Sequence, residues 1–139
     1  FENLTELYLG ENEIEDLSPL RGMKQLKSLV LSGNRISDLG PLEDLDRLEY
    51  LNLNDNLISD ISPLKRLVNL RRLILSANRI TDISPLQDMD ALTDLNLSDN
   101  MVRDIGVLEK LTELEEVNLR HNPLEDDSVL SDLDANVTY

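Results

Sequence analysis

Asparagine returns at Asn12, Asn34, Asn56, Asn78, Asn100 and Asn122, each time twenty-two residues after its predecessor. The surrounding text returns with it. Leu48–Asn69, LEYLNLNDNLISDISPLKRLVN, is the repeating unit, and no insertion or deletion interrupts the period. A fixed repeat of this length does not build one central core. Each unit buries its apolar face against the next, so the chain stacks into a solenoid.

Within the unit the main apolar positions are Leu48, Leu51, Leu53, Ile58, Ile61, Leu64 and Leu67. Leu51 and Leu53 alternate, as in a short strand. From Ile58 onward the spacing is three, which suits tight turns or a 3₁₀ segment, where side chains at i and i+3 eclipse. One strand, one turn and one short helical or extended return are therefore expected per repeat.

LEYLNLNDN, LKSLVLSGN, LRRLILSAN and LTDLNLSDN match the pattern LxxLxLxxN, and LEEVNLRHN matches it with Val117 in place of a leucine. The chain thus resembles the leucine-rich repeat family along its whole length. Its second halves, NEIEDLSPL, NRISDLGPL, NLISDISPL and NRITDISPL, carry Pro19, Pro41, Pro63 and Pro85. This form resembles the internalin-like repeats of bacterial surface proteins. The resemblance implies an α/β-type solenoid: a right-handed leucine-rich repeat horseshoe or arc, with a parallel β-sheet on the concave face. Short 3₁₀ or irregular turns would line the convex face. Residues 1–139 are expected to be a single such domain of about six repeats.

Ser62 is placed to cap a helical turn, and Pro63 falls at its first position, where a missing N–H costs nothing. Gly40 and Gly106 replace the serine in two repeats, and Val107 and Val129 replace the proline in the last two. The turn is less sharply specified there. The six asparagines read as a structural ladder, whose amides bond backbone groups that a turning chain leaves unpaired. Asp16, Asp38, Asp60, Asp82, Asp104 and Asp126 form a second ladder. At the ~4.8 Å strand pitch these carboxylates repel, so backbone N–H groups of the following turn are their expected partners. A row of calcium sites is the alternative, although no glycine-rich acidic loop accompanies it.

The ends depart from the pattern. Phe1 aligns with Met23, Leu45, Leu67, Met89 and Leu111, so the chain opens inside a repeat. An N-terminal cap is expected to be missing, with an end-to-end contact possible through the uncapped first repeat. Asp127 stands where Ile61, Ile83 and Ile105 stand, leaving Leu124 or Val129 to fill the core. Residues 123–139 resemble a closing half-repeat. Val137 and Tyr139 are expected to make a seventh strand, after a loop two residues shorter than the period requires.

Several chemistries are disfavoured. Cysteine is absent and His121 is the only histidine, so no thiolate or multi-histidine metal site is available. No Gly-x-Ser-x-Gly turn and no glycine-rich phosphate loop occurs. An open sheet also excludes little water. The chain is read as no enzyme, with no catalytic residue, cofactor or metal. Its net charge of −15 repels phosphate backbones, so nucleic acid is not an expected partner. No apolar run reaches the ~18 residues of a membrane span.

What remains is the concave face, where residues between the strand leucines project outward. Between each leucine pair stand Tyr8, Val30, Asn52, Ile74, Asn96 and Asn118, and two residues earlier Glu6, Ser28, Tyr50, Arg72, Asp94 and Glu116. Tyr8, Val30, Tyr50, Arg72 and Ile74 are the candidate protein-binding residues, since exposed aromatics and arginine are typical of interface hot spots. Asp94 and Glu116 mark a separate, secondary acidic patch. The expected function is a protein-binding module. The resemblance implies an extracellular or cell-surface bacterial protein that grips a host or partner protein. A cytoplasmic regulatory subunit, resembling the phosphatase-binding 22-residue repeat protein, is the alternative, as is a ligand-free structural or engineered scaffold.

Overall fold

The computed structural model describes residues 3–139, so the position of Phe1 lies outside the described residues. Seven three-residue strands follow in order: β1 (Glu6–Tyr8), β2 (Ser28–Val30), β3 (Tyr50–Asn52), β4 (Arg72–Ile74), β5 (Asp94–Asn96), β6 (Glu116–Asn118) and β7 (Asn136–Thr138). They form one parallel sheet in chain order. Up to β6 each residue pairs with its equivalent in the next repeat, as Tyr8 does with Val30 and Arg72 with Asp94. The final step pairs Val117 with Val137, twenty residues on, so the last loop is contracted as the sequence implied. The strand stops at Thr138, however, and Tyr139 lies beyond it, exposed.

Between strands the chain returns through 3₁₀ turns at Ser18–Leu20, Gly40–Leu42, Ser62–Arg66, Ser84–Leu86, Gly106–Lys110 and Ser128–Asp132. No α-helix occurs among the described residues. The strands sit side by side at the ~4.8 Å hydrogen-bonding pitch and make the concave side, with the turns on the convex side.

Ser62 does not cap its turn. The turn begins at Ser62 itself, and no side-chain cap bond is made from the preceding Ile61. Asp60 Oδ1 instead accepts the Ser62 N–H at 2.8 Å, and the same bond recurs from Asp16, Asp38, Asp82, Asp104 and Asp126. The carboxylate reaches the N–H because it lies two residues upstream, outside the turn. The repeats with Val107 and Val129 keep this bond and form their turns without proline. The turn forms there without the ring, and the aspartate bond is what all six turns share.

The core is a continuous apolar column. Leu29, Leu31, Leu51, Leu53, Leu73, Leu75 and Leu97 are fully buried, each stacked between equivalents from adjacent repeats. The i, i+3 row of Ile58, Ile61, Leu64 and Leu67 fills the other side of the column. Each such leucine or isoleucine contributes about 1.5–3 kcal/mol. Leu4, Leu7 and Leu9 around β1 are only half-buried. At the far end Asp127 is exposed, and Leu124 and Val129 pack against the core in its stead.

Each corner after a strand carries a left-handed residue: Glu11, Gly33, Asp55, Ala77, Asp99 and His121, with φ between 52° and 64°. That conformation folds the chain sharply enough to bring the following asparagine under the sheet. There Asn56, for example, bonds backbone on both repeats that it touches.

Candidate functional site

The register arranges the concave side chains in two rows. One runs Glu6, Ser28, Tyr50, Arg72, Asp94, Glu116, Asn136; the other runs Tyr8, Val30, Asn52, Ile74, Asn96, Asn118, Thr138. Tyr8 is therefore a direct neighbour of Val30, and Tyr50 of Arg72. The two pairs are diagonal to each other, and Asn52 separates Val30 from Ile74.

Tyr8 is 61% exposed, as expected, and its hydroxyl donates to Glu6 Oε2. Val30, Tyr50 and Ile74, expected to be exposed, project from the concave face but are half-buried. Cross-strand neighbours cover them. The Arg72 guanidinium lies 5.5 Å from the centre of the Tyr50 ring, a cation–π arrangement. Arg72 Nε is also 3.8 Å from Asp94 Oδ1. Tyr50, Arg72 and Asp94 thus form one linked file across three strands.

The acidic residues are held in place. Asp94 Oδ2 accepts the Thr93 hydroxyl at 2.8 Å, and Asn136 Nδ2 donates to both oxygens of Glu116. Arg72, Ile74, Asp94, Asn96, Glu116 and Asn118 line one shallow hollow of about 270 Å³. The aliphatic–arginine group and the acidic patch, expected as separate sites, therefore share a surface. Residue spacing alone did not show this. Thr138 also lines the hollow, and only the contracted last loop brings it there. Asn96 and Asn118, which the sequence did not single out among the concave positions, line it too, and their side-chain oxygens accept the N–H groups of Ser98 and Arg120.

The six ladder asparagines point away from this face and serve the backbone. Asn34, Asn56, Asn78, Asn100 and Asn122 each accept an N–H from the preceding repeat, while Asn12 is exposed and donates to Leu9 and Gly10 carbonyls. Among the described residues no three acidic or histidine side chains converge as a metal site. Three ladder aspartates have carboxyls held below their ordinary range. For Asp16 the Ser18 hydroxyl is the main cause, followed by its N–H; for Asp60 and Asp126 the N–H of Ser62 and Ser128 leads, followed by the hydroxyl. His121 Nδ1 lies 2.7 Å from Asp99 Oδ1, at the corners beside the sheet and outside the hollow.

These features define a leucine-rich repeat solenoid, and the chain belongs to the leucine-rich repeat family. The two-copy leucine-rich repeat family model matches residues 2–44, 24–66 and 46–88, and a second leucine-rich repeat model matches residues 68–124. Within the family it is of the internalin-like type. It is similar to a solved internalin of Listeria monocytogenes at 30% identity and a TM-score of 0.77, covering 98% of this chain and 47% of that one. Internalin C2 of the same organism shares 34% identity with a TM-score of 0.79, covering 99% and 72%. A leucine-rich repeat protein of Leptospira interrogans shares 25% identity with a TM-score of 0.76, covering 97% and 43%. The chain thus spans about half the length of the first of these structures. No curated protein sequence matches it. No helix among the described residues is long and apolar enough to cross a membrane.

Proposed function

We propose that the chain binds a partner protein through its concave face, with Tyr8, Val30, Tyr50, Arg72 and Ile74 as the main contact residues. Asp94 and Glu116 extend the contact at the far end. Leucine-rich repeat solenoids are generally protein-binding modules. The observation that carries the reading is the Tyr50–Arg72–Asp94 file beside the hollow. It combines aromatic area, a guanidinium and an oriented carboxylate on a rigid sheet, the mixture found at interface hot spots.

The similarity to Listeria internalins and a Leptospira protein supports a bacterial protein that acts at the cell surface or after secretion, on a host or partner protein. Residues 123–139 act in this reading as the closing half-repeat of a single domain. The test is capture of the partner from host-cell or culture extracts by immobilised protein. Tyr8→Ala, Tyr50→Ala and Arg72→Ala together are expected to abolish specific capture while the melting temperature holds. Undiminished capture by the triple variant sinks the concave-face assignment.

A further inference from the structure

The residue just ahead of each strand is Lys27, Glu49 and Arg71 in repeats two to four. Their backbones are locked in file. Lys27 O accepts the N–H groups of Glu49 and Tyr50 at 2.9 and 3.0 Å, and Glu49 O accepts those of Arg71 and Arg72 at 2.8 and 3.1 Å. The three side chains therefore leave the flank of the solenoid at the strand pitch. Arg47 lies beside them, and its Nη1 donates to Gln25 Oε1 at 2.6 Å. Asn69 Nδ2 donates to Asp46 O at 2.7 Å. Lys27, Arg47, Glu49, Asn69, Arg71 and Ala91 line a hollow of about 310 Å³.

The charge here runs against the rest of the molecule. The chain has 28 acidic and 13 basic residues, yet this hollow has three cations and one carboxylate. Glu49 is 3.5 Å from Lys27. Among the described residues no carboxylate lies within ion-pair distance of Arg47 or Arg71, although most charged groups of this chain are acidic. Two guanidinium forks without a counter-charge suit two-bond contacts to carboxylates. Arg71 is also followed directly by Arg72, which turns onto the concave sheet over Tyr50. The flank and the concave face thus meet around the start of β4.

We propose that this flank docks an acidic segment, a run of Asp or Glu side chains, of the same protein partner that lies on the concave face. The proposal rests on the protein-binding reading above and names the partner's chemistry at one edge of that site. Carboxylates are favoured over phosphate because Glu49 stands between the cations and repels a dianion more strongly than a monoanion. The overall −15 charge opposes any free anion, so the attraction is local. Screening over about 8 Å at physiological salt removes most of the distant repulsion and spares the direct pairs.

The probe is an octaglutamate peptide, titrated into isotope-labelled protein and followed by NMR, with octalysine and inorganic phosphate as comparisons. Octaglutamate is expected to shift the amide and guanidinium signals of Lys27, Arg47, Asn69 and Arg71, and to do so less at high salt. Arg47→Gln with Arg71→Gln weakens that binding about tenfold, or ~1.4 kcal/mol, and Glu49→Gln strengthens it. The peptide titration is read without the partner protein and partner capture without the peptide, so failure of the concave-face assignment and failure of the flank are read separately. The proposal is overturned if octaglutamate leaves these signals in place, or binds the double glutamine variant equally well. It is also overturned if phosphate shifts the same signals at lower concentration.

Discussion

Asn56 Oδ1 accepts the backbone N–H of Ile36 at 3.0 Å, across the boundary between two repeats. Its Nδ2 donates to the carbonyls of Leu31, Leu53 and Asn54. The side chain thus joins both repeats and satisfies groups that the corner turns away from both strand and solvent. Asn56→Ala leaves those groups unpaired in a buried site, where each costs ~1–3 kcal/mol. A loss of roughly 3 kcal/mol in urea denaturation is expected for Asn56→Ala. Asn12→Ala is expected to cost about 1 kcal/mol or less, because Asn12 is exposed and its side chain makes two bonds. Equal losses at the two positions would contradict the inter-repeat role.

The ladder aspartates make stability depend on acid. Asp16, Asp60 and Asp126 have folded-state pKa values below the ordinary carboxylate value. A depressed value contributes stability that is present above the unfolded pKa, ~3.9, and is lost as pH falls through the folded value. The melting temperature is therefore expected to drop as pH is lowered below about 4. Replacing all three with asparagine flattens that part of the profile and lowers stability at neutral pH. Melting curves between neutral pH and strong acid check both parts.

Ala77 holds a φ of 52° where Gly33 holds 64° in an equivalent corner. A left-handed conformation costs an L-residue roughly 1–2 kcal/mol, and glycine avoids that cost while losing more freedom on folding. Ala77→Gly is expected to stabilise by about 0.5 kcal/mol. Gly33→Ala is expected to destabilise, since a Cβ there also meets the Glu11 carboxylate. Chemical denaturation of the two variants under identical conditions gives both signs.

Val107 occupies the place that proline holds in Pro41 and Pro63, inside a turn of the same kind. Its N–H is not needed, because Asp104 is bonded to Gly106 N–H. Gly40-Pro41 already shows a glycine ahead of proline at this point. Val107→Pro is expected to stabilise by ~0.4–1 kcal/mol through the unfolded chain. A lowered denaturation midpoint would show that the backbone at Val107 does not fit the ring.

The architecture was legible in advance because it is local and repeated. The period, the alternation of Leu51 and Leu53, and the three-residue spacing from Ile58 each state a conformation, and six copies reinforce one another. The Asn and Asp ladders were legible for the same reason: an identical residue at an identical corner meets an identical need. The seventh strand was legible in part. Val137 is paired with Val117, but Tyr139 lies past the strand.

What only the tertiary structure decided are the relations between repeats. The sequence determined which side chains project from the sheet, since alternation along a strand settles that. It did not determine how strongly neighbouring strands cover them, so Val30, Tyr50 and Ile74 were expected to be exposed and are half-buried. The shared hollow from Arg72 to Glu116, and the cationic flank of Lys27, Arg47 and Arg71, join residues twenty or more positions apart. Such groupings arise from stacking at the strand pitch, which brings equivalent positions side by side whatever residues occupy them. The repeat determines the frame, and the register determines which of its variable residues meet.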